Sequence, residues 1–496
     1  MSTLIQVVDN QLNEGRQVVV RLTRSLPRHG RPSGTPHPRA TSCNTSCMAR
    51  RGSPKRAGTR ESATERVDAR LGRFAADGAI PLEVTGRKVL VEGGIPNETV
   101  RLALVATGRK DRPRAEVISV LDPSPERVTP RCKVIDICGG CEWQHLSQEG
   151  QLLHKAAIVR RLLAAQRLPT RIDAVHPMPD PWAYRIRAQI ALGPEAGFRM
   201  RRSKQIVGLR TCPVAHPAIS RLLEELNRLI RLREIPDYRG KALLHAQVAG
   251  SPAAPRLQLL LEGVDGLRLA PDAETHEVAE RLVALRGVES VSVQDSNGQI
   301  LILAGPEYVW VQLRGRDLAL PAGSFFQSNW SLLPDLLDRA MELADPQPGE
   351  VAADIYGGVG LFGLFMATAG ADVTLIEIDP RAVDAAKVTA AAWGLSNIDY
   401  VAAPAEEAVA KLPRLDLAIV DPPRTGLDET TIAALIERDI PRIVYVSCSP
   451  ITYARDAAQL VRAGYRIEHY ELFDFYPQTV HVEGLALLVK PDRGAG

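Results

Sequence analysis

Cys448 stands in Val444-Tyr-Val-Ser-Cys-Ser-Pro450, an apolar run that stops at a thiol flanked by serines and followed by proline. The pattern predicts a strand over Arg442–Ser447, an exposed turn at the cysteine and a helix from Tyr453 to Arg462. A lone cysteine is more often a packed apolar side chain. The serines and the proline favour the loop instead, where a helix N-terminus would raise its thiolate character. A thiolate helps a methyl transfer only when the acceptor carbon is too weak a nucleophile to attack by itself. Carbon 5 of uracil is such an atom, because addition of sulfur to carbon 6 turns carbon 5 into an enolate-like centre. A base must then remove the carbon 5 proton so that the sulfur is expelled. Glu483, in Tyr476-Pro-Gln-Thr-Val-His-Val-Glu483, is the candidate base, with His481 as a second candidate or a neighbour.

Two further stretches stand at predicted strand exits. Asp354-Ile-Tyr-Gly-Gly-Val-Gly-Leu-Phe-Gly363 follows a short apolar run, and Gly358, Gly360 and Gly363 fit the dinucleotide-binding spacing. Glu377 follows 17 residues after Gly360, where an acid accepts hydrogen bonds from ribose hydroxyls. Glycines alone admit a nicotinamide dinucleotide or S-adenosylmethionine. Asp354 at the head of the loop suits the cationic methionine end of the latter. Asp421-Pro-Pro-Arg-Thr-Gly426 follows the apolar run Leu415–Val420, and its prolines stiffen the backbone that carries Asp421 and Arg424. Ligands of such sheets bind at the carboxyl ends of strands, so the three stretches are expected to converge.

The chain has 7 cysteines. An odd count with no export signal argues against a disulfide framework. Cys132, Cys138 and Cys141 have the spacing C-x5-C-x2-C, and Cys212 follows in Arg210-Thr-Cys-Pro-Val. Four thiolates could hold zinc or an iron–sulfur cluster, and spacing does not choose between them.

These residues need elements to position them, and 496 residues are enough for several domains. Hydrophobic content of 45% and charged content of 24% are those of a globular chain. No apolar run is long enough for a membrane span, and the first residues lack a signal pattern, which predicts a cytoplasmic protein. Net charge is +3, yet the first 70 residues hold 13 Lys and Arg against 5 Asp and Glu. Residues 1–65 read as a disordered basic arm. Residues 66–122 alternate short β-prone pieces with glycine turns, which predicts an OB-like barrel of about five strands with a basic loop at Arg109, Lys110, Arg112 and Arg114. Residues 123–320 hold the four cysteines, an amphipathic helix over 147–168 and mixed α+β structure. From 321 to 496 strands and helices alternate as in a Rossmann-like α/β sheet, mostly parallel with a late antiparallel pair.

Taken together, the stretches from about residue 66 to the end resemble the RNA uracil-5-methyltransferase family, in its iron–sulfur-containing 23S ribosomal RNA type. The resemblance implies S-adenosylmethionine as methyl donor and a 4Fe-4S cluster on Cys132, Cys138, Cys141 and Cys212. It makes residues 66–122 a TRAM-like RNA-binding module and 321–496 the methyltransferase domain. Cys448 matches the nucleophile and Glu483 the base. Gln327, in Phe325-Phe-Gln-Ser-Asn329, together with Tyr356, Gly358, Gly360, Glu377 and Asp421, falls on cofactor-binding positions. The sequence departs from the family at Ser449, where asparagine is usual, and at Val401-Ala-Ala-Pro404, which lacks a polar residue for the adenine. The expected partner is structured RNA, ribosomal or transfer, bound by a monomer with no membrane. A dehydrogenase would leave Cys448 and the four cysteines without a role. A non-catalytic RNA-binding or chaperone protein on the same fold would have no use for the Cys448–Glu483 pair.

Overall fold

The structure is a computed structural model that describes residues 66–84, 86–105 and 113–491. The basic arm, with Cys43 and Cys47, and the loop residues Arg109, Lys110 and Arg112 lie outside the described residues.

The five short strands at the N-terminal end are Arg66–Arg70, Ile80–Val84, Arg87–Glu92, Thr99–Val105 and Arg114–Asp122. They form one sheet in the order first, fourth, fifth, third, second, and no pairing joins the two end strands among the described residues. Apolar residues from alternate positions, including Ile80, Val91, Val100 and Leu102, close over Phe74 and Trp143. Trp143 belongs to the cysteine segment, so the small sheet is packed against the stretch that carries Cys138 and Cys141.

The helix Gln148–Ala165 begins at Ser147, whose hydroxyl accepts from Gly150 N at 3.1 Å. Its buried residues Ala156, Val159 and Leu163 pack with Leu435, Tyr453 and Leu472, which belong to the C-terminal third of the chain. Shortly after it, Ala174–His176 adds a parallel edge strand beside Arg466–Phe473. Residues 148–176 thus complete the C-terminal sheet, although they precede the mixed α+β region in sequence. That region is a second, nine-stranded sheet covered by helices Pro217–Leu232 and Ala273–Val283.

The C-terminal sheet runs Ile398–Ala402, Asp372–Glu377, Val351–Ile355, Leu417–Val420, Arg442–Ser447, Glu483–Val489, Arg466–Phe473 and Ala174–His176. The first five are parallel, and Glu483–Val489 runs antiparallel to both neighbours. Leu417-Ala-Ile-Val420 is apolar at every position because helices cover both faces of the sheet. Asp379, Asp428 and Ser449 each cap a following helix by accepting from a backbone amide. Chain order reverses on either side of Val351–Ile355, the switch point at which open α/β sheets bind ligands.

An ion network ties the edge strand Ala174–His176 to this framework. Glu471 accepts from His176 Nε2 at 2.9 Å and from Arg339 Nε and Nη2 at 2.8 and 2.7 Å, and the His176 ring stacks on Phe473. Burial alone would raise the Glu471 carboxyl, but the hydrogen bonds from His176 and Arg339 overturn this and hold it at about 2. A depressed folded-state value contributes stability that is fully present above the unfolded value of 4.5 and is lost as pH falls through about 2. Arg339→Met should therefore destabilise by on the order of 3 kcal/mol near neutrality. Denaturant titrations should show that deficit shrinking steadily below pH 4.5; a deficit independent of pH would contradict the charge-based account.

Candidate active site

The glycine loop is shaped from beneath by Asp354, the fourth residue of its strand. Its carboxyl is fully buried and accepts from Gly363 N at 2.6 Å. A side chain at Gly363 would begin 2.9 Å from that same carboxyl oxygen, so the close approach requires glycine. Asp354 was expected to face a ligand; instead it lies under the loop and sets its path. Tyr356, Gly358 and Gly360 all adopt positive φ, of 62°, 55° and 85°. That conformation is ordinary for glycine and strained for tyrosine, a type of strain that gathers at functional sites. Glu377 spans the loop from the next strand, accepting from Gly358 N at 2.9 Å and from Asp379 N at 2.8 Å.

Asp421 follows the adjacent strand, beside Tyr356 in the parallel ladder that ends at Ile355 and Val420. Gln327 donates to its Oδ2 at 3.2 Å, while the Gln327 Oε1 is buried without a partner. Burial pushes Asp421 up to about 7, with Asp354 adding repulsion, and Asp354 itself is raised to about 7 mainly by burial. Acids raised in this way gain stability from any cation placed beside them.

Cys448 leaves the next strand. Ser447 pairs with Gly484 in the antiparallel ladder, so one further step sets Cys448 opposite Glu483. Both carboxyl oxygens of Glu483 are buried and have no hydrogen-bond partner among the described residues. Burial, reinforced by Asp421, pushes Glu483 well above the ordinary carboxylate range, and Arg424 pulls the other way. Burial likewise pushes the Cys448 thiol up to about 12; Glu483 and Asp421 add to this and Arg424 opposes it. The sequence reading expected the helix N-terminus to favour the thiolate. In the folded chain burial and the facing carboxyls outweigh the helix, and Ser449 occupies the helix cap. His481 is held down at about 4 by burial and by Arg424, so it is neutral near pH 7.

The four cysteines Cys132, Cys138, Cys141 and Cys212 are free thiols. Beyond the raising effect of burial, Cys138 is influenced by Cys132, Cys141 by Cys212, and Cys212 by Cys132 and Cys138. Among the described residues no three His, Cys, Asp or Glu side chains are gathered as the ligands of a single metal ion.

Known proteins are similar to this chain over most of its length. The family model for tRNA (uracil-5-)-methyltransferase matches residues 290–491. The 23S rRNA (uracil(1939)-C(5))-methyltransferase RlmD of Shewanella amazonensis is 32% identical over 438 residues, covering 86% of this chain and 96% of that one. The chain belongs to the S-adenosylmethionine-dependent RNA uracil-5-methyltransferase family. A Bacillus cereus relative of this methyltransferase, known only as an uncharacterized RNA methyltransferase, is 29% identical over 86% of this chain and 97% of its own. Among solved structures, the Pyrococcus abyssi tRNA (uracil-54, C5)-methyltransferase in complex with S-adenosyl-L-homocysteine matches 85% of this chain and 99% of that chain, with a TM-score of 0.68 and 25% identity. No helix among the described residues of the enzyme is long and apolar enough to cross a membrane.

Sequence reasoning missed a buried ion pair behind this site, Lys155 Nζ to Asp474 Oδ1 at 2.6 Å. The only signal was a lysine inside the apolar face of a helix and an aspartate between phenylalanines.

Arg424 is the cation that favours the Cys448 thiolate, so Arg424→Met should move the pH profile of covalent adduct formation on 5-fluorouridine RNA to higher pH. Each unit of displacement would slow adduct formation about tenfold at neutral pH. An unmoved profile would show that Arg424 has no part in ionising the thiol.

Proposed function

We propose that this enzyme methylates carbon 5 of one uridine in 23S ribosomal RNA, through a covalent bond between Cys448 and carbon 6 that Glu483 resolves. The observation that carries the reading is that Cys448 and Glu483 lie one step past the pair Ser447–Gly484 at the carboxyl edge of the sheet and act on each other, with Asp421 between them and the glycine loop. The Cys448 sulfur adds to carbon 6, and the electrons of the 5,6 double bond pass to carbon 5 and oxygen 4. Carbon 5 then forms its bond to the methyl group of S-adenosylmethionine as the carbon–sulfonium bond breaks, leaving S-adenosylhomocysteine. Glu483 takes the carbon 5 proton, the double bond re-forms, and the Cys448 thiolate leaves. The thiol proton must leave Cys448 before sulfur attacks, and Glu483 must be ionised before it takes the carbon 5 proton.

The methyl donor is assigned to the cleft formed by Gly358, Gly360, Tyr356, Glu377, Gln327 and Asp421. The support is the orphaned Gln327 oxygen and the row of raised carboxyls, which suits a sulfonium cation. The uridine must be flipped from its helix or loop to reach Cys448. Residues 66–122 are assigned as a TRAM-like RNA-binding module, residues 123–320 as the cysteine-bearing domain and 321–496 as the methyltransferase domain.

The four cysteines are assigned to a 4Fe-4S cluster. The four thiols are not gathered as ligands of a single ion among the described residues, and the support is chemical. Each of Cys138, Cys141 and Cys212 is influenced by another of the four, backbone amides of Gly140, Val214 and Ala215 point at sulfurs, and Arg185 adds positive charge. Such hydrogen bonds and charge favour an anionic cluster. Cys132, Cys138, Cys141 and Cys212 would hold it, and bound there it would supply a rigid cross-link between the two cysteine segments.

A transfer RNA target is the second reading, favoured by the likeness to the tRNA enzyme of Pyrococcus abyssi. Mapping 5-methyluridine in ribosomal and transfer RNA of cells with and without the gene separates the two. The account predicts loss at one position of 23S ribosomal RNA, restored by the wild type and not by Cys448→Ala. Loss confined to transfer RNA would overturn the target, and restoration by Cys448→Ala would overturn the covalent route.

A further inference from the structure

The connection between the strands Arg466–Phe473 and Glu483–Val489 is longer than a hairpin needs, since adjacent antiparallel strands commonly close in two to five residues. It is also held at almost every step. Asn329 Nδ2 donates to Phe475 O at 2.8 Å, Lys155 Nζ to Tyr476 O at 3.1 Å, and the Tyr184 hydroxyl to Pro477 O at 2.9 Å. The centre of this attachment is Gln478, which is 3% exposed and lies at a φ of 70°, a conformation that favours glycine. Its carbonyl accepts from two consecutive amides, Glu142 N at 3.0 Å and Trp143 N at 2.9 Å. Its own amide donates to Gln151 Oε1 at 2.7 Å, and its side-chain oxygen accepts from Gln151 Nε2 at 3.2 Å. Two buried glutamines therefore clasp each other through both a backbone and a side-chain bond.

Glu483 lies five residues further on, and no hydrogen bond fixes its carboxyl. Its position is set by the backbone that delivers it, which is held on the strand side by pairing with Phe473 and on the connection side by Gln478. Proton abstraction needs the carboxyl within about 3 Å of the carbon 5 proton's carrier, and a misplacement of about 1 Å can cost about 100-fold in rate.

We infer that Gln151 and Gln478 are positioning residues for the last step of the reaction, holding Glu483 in line with the carbon 5 proton by anchoring its segment to the backbone that follows Cys141. The inference rests on Glu483 being the base. Cys448 is carried on a different strand, so the clasp acts on release of the methylated product and leaves sulfur addition and methyl transfer alone.

The test is single turnover by the full chain on a uridine-containing RNA target with tritiated methyl donor, following both the rise and the decay of the denaturant-stable protein–RNA adduct. Gln151→Met removes both amide bonds at nearly constant volume. Gln478→Gly removes the side chain while easing the left-handed backbone. Gln151→Met should form adduct within twofold of the wild-type rate and release it about 10- to 100-fold more slowly, so that methylated adduct accumulates. Gln478→Gly, which keeps its backbone bonds, should fall between that variant and the wild type. Release at the wild-type rate overturns the inference. So does a parallel fall in formation, release and thermal midpoint, which would mark a purely structural role. Glu483→Gln measured alongside separates the premise from the inference: if that variant fails to accumulate adduct, the base assignment itself falls.

Discussion

The ladder that pairs Ser447 with Gly484 is the constraint on which the site depends. It joins a parallel strand, whose exit faces the ligand edge, to an antiparallel strand that starts at that same edge. The proposed nucleophile, carried out on one strand, thereby meets the proposed base, carried in on the next. The ladder sets which residues face each other, the connection before Glu483 sets how its strand enters, and a shift of one residue would turn Glu483 to the opposite face of the sheet. The apolar partners Val444, Val446, Leu485 and Leu487 fix the register by filling the core on one face.

The same burial that makes the site accurate makes it electrostatically tense. Asp354, Asp421 and Glu483 are buried carboxyls along one edge, each raised chiefly by loss of water. In such surroundings a thiolate and a carboxylate cannot both persist cheaply, so their charges are needed at different moments: the sulfur at attack, the carboxylate at release. A methyl donor that arrives as a cation and departs neutral would favour ionised acids early and weaken that support after transfer. The exposed Arg424 loop is the protein's own counterweight, and its prolines keep it at the strand exit.

Much of this was legible in the sequence because fully buried parallel strands read as unbroken apolar runs, and because the chemistry-bearing residues follow those runs directly. Leu417–Val420 and Arg442–Ser447 are of this kind. The strand expected from Leu415 starts two residues later, since Asp416 turns its carboxylate onto Val351 N at 3.0 Å. The last strand starts only at Glu483, because His481 N donates to the Thr479 hydroxyl in a turn. The edge strand Ala174–His176 is too short to carry a period, and its membership in the distant sheet depends on Arg466–Phe473. The raised thiol was hidden for a similar reason, as the carboxyls that raise it come from other strands. The Gln151–Gln478 clasp joins residues more than three hundred positions apart, and neither glutamine stands out in its own segment.

The small N-terminal sheet, the cysteine segment and the helix Gln148–Ala165 meet at Trp143 and Leu146, and from there hydrogen bonds run to the segment that delivers Glu483. The parts of the chain that would meet RNA and the part that completes the chemistry thus share one packed junction. The central claim remains the sulfur–carbon bond. Its most direct measurement is peptide mass spectrometry of the enzyme trapped on RNA carrying 5-fluorouridine at the target position, with methyl donor present. The account predicts a single modified peptide, bearing the methylated fluoropyrimidine on Cys448. A modified peptide elsewhere in the chain, or none while ordinary RNA is still methylated, would contradict it.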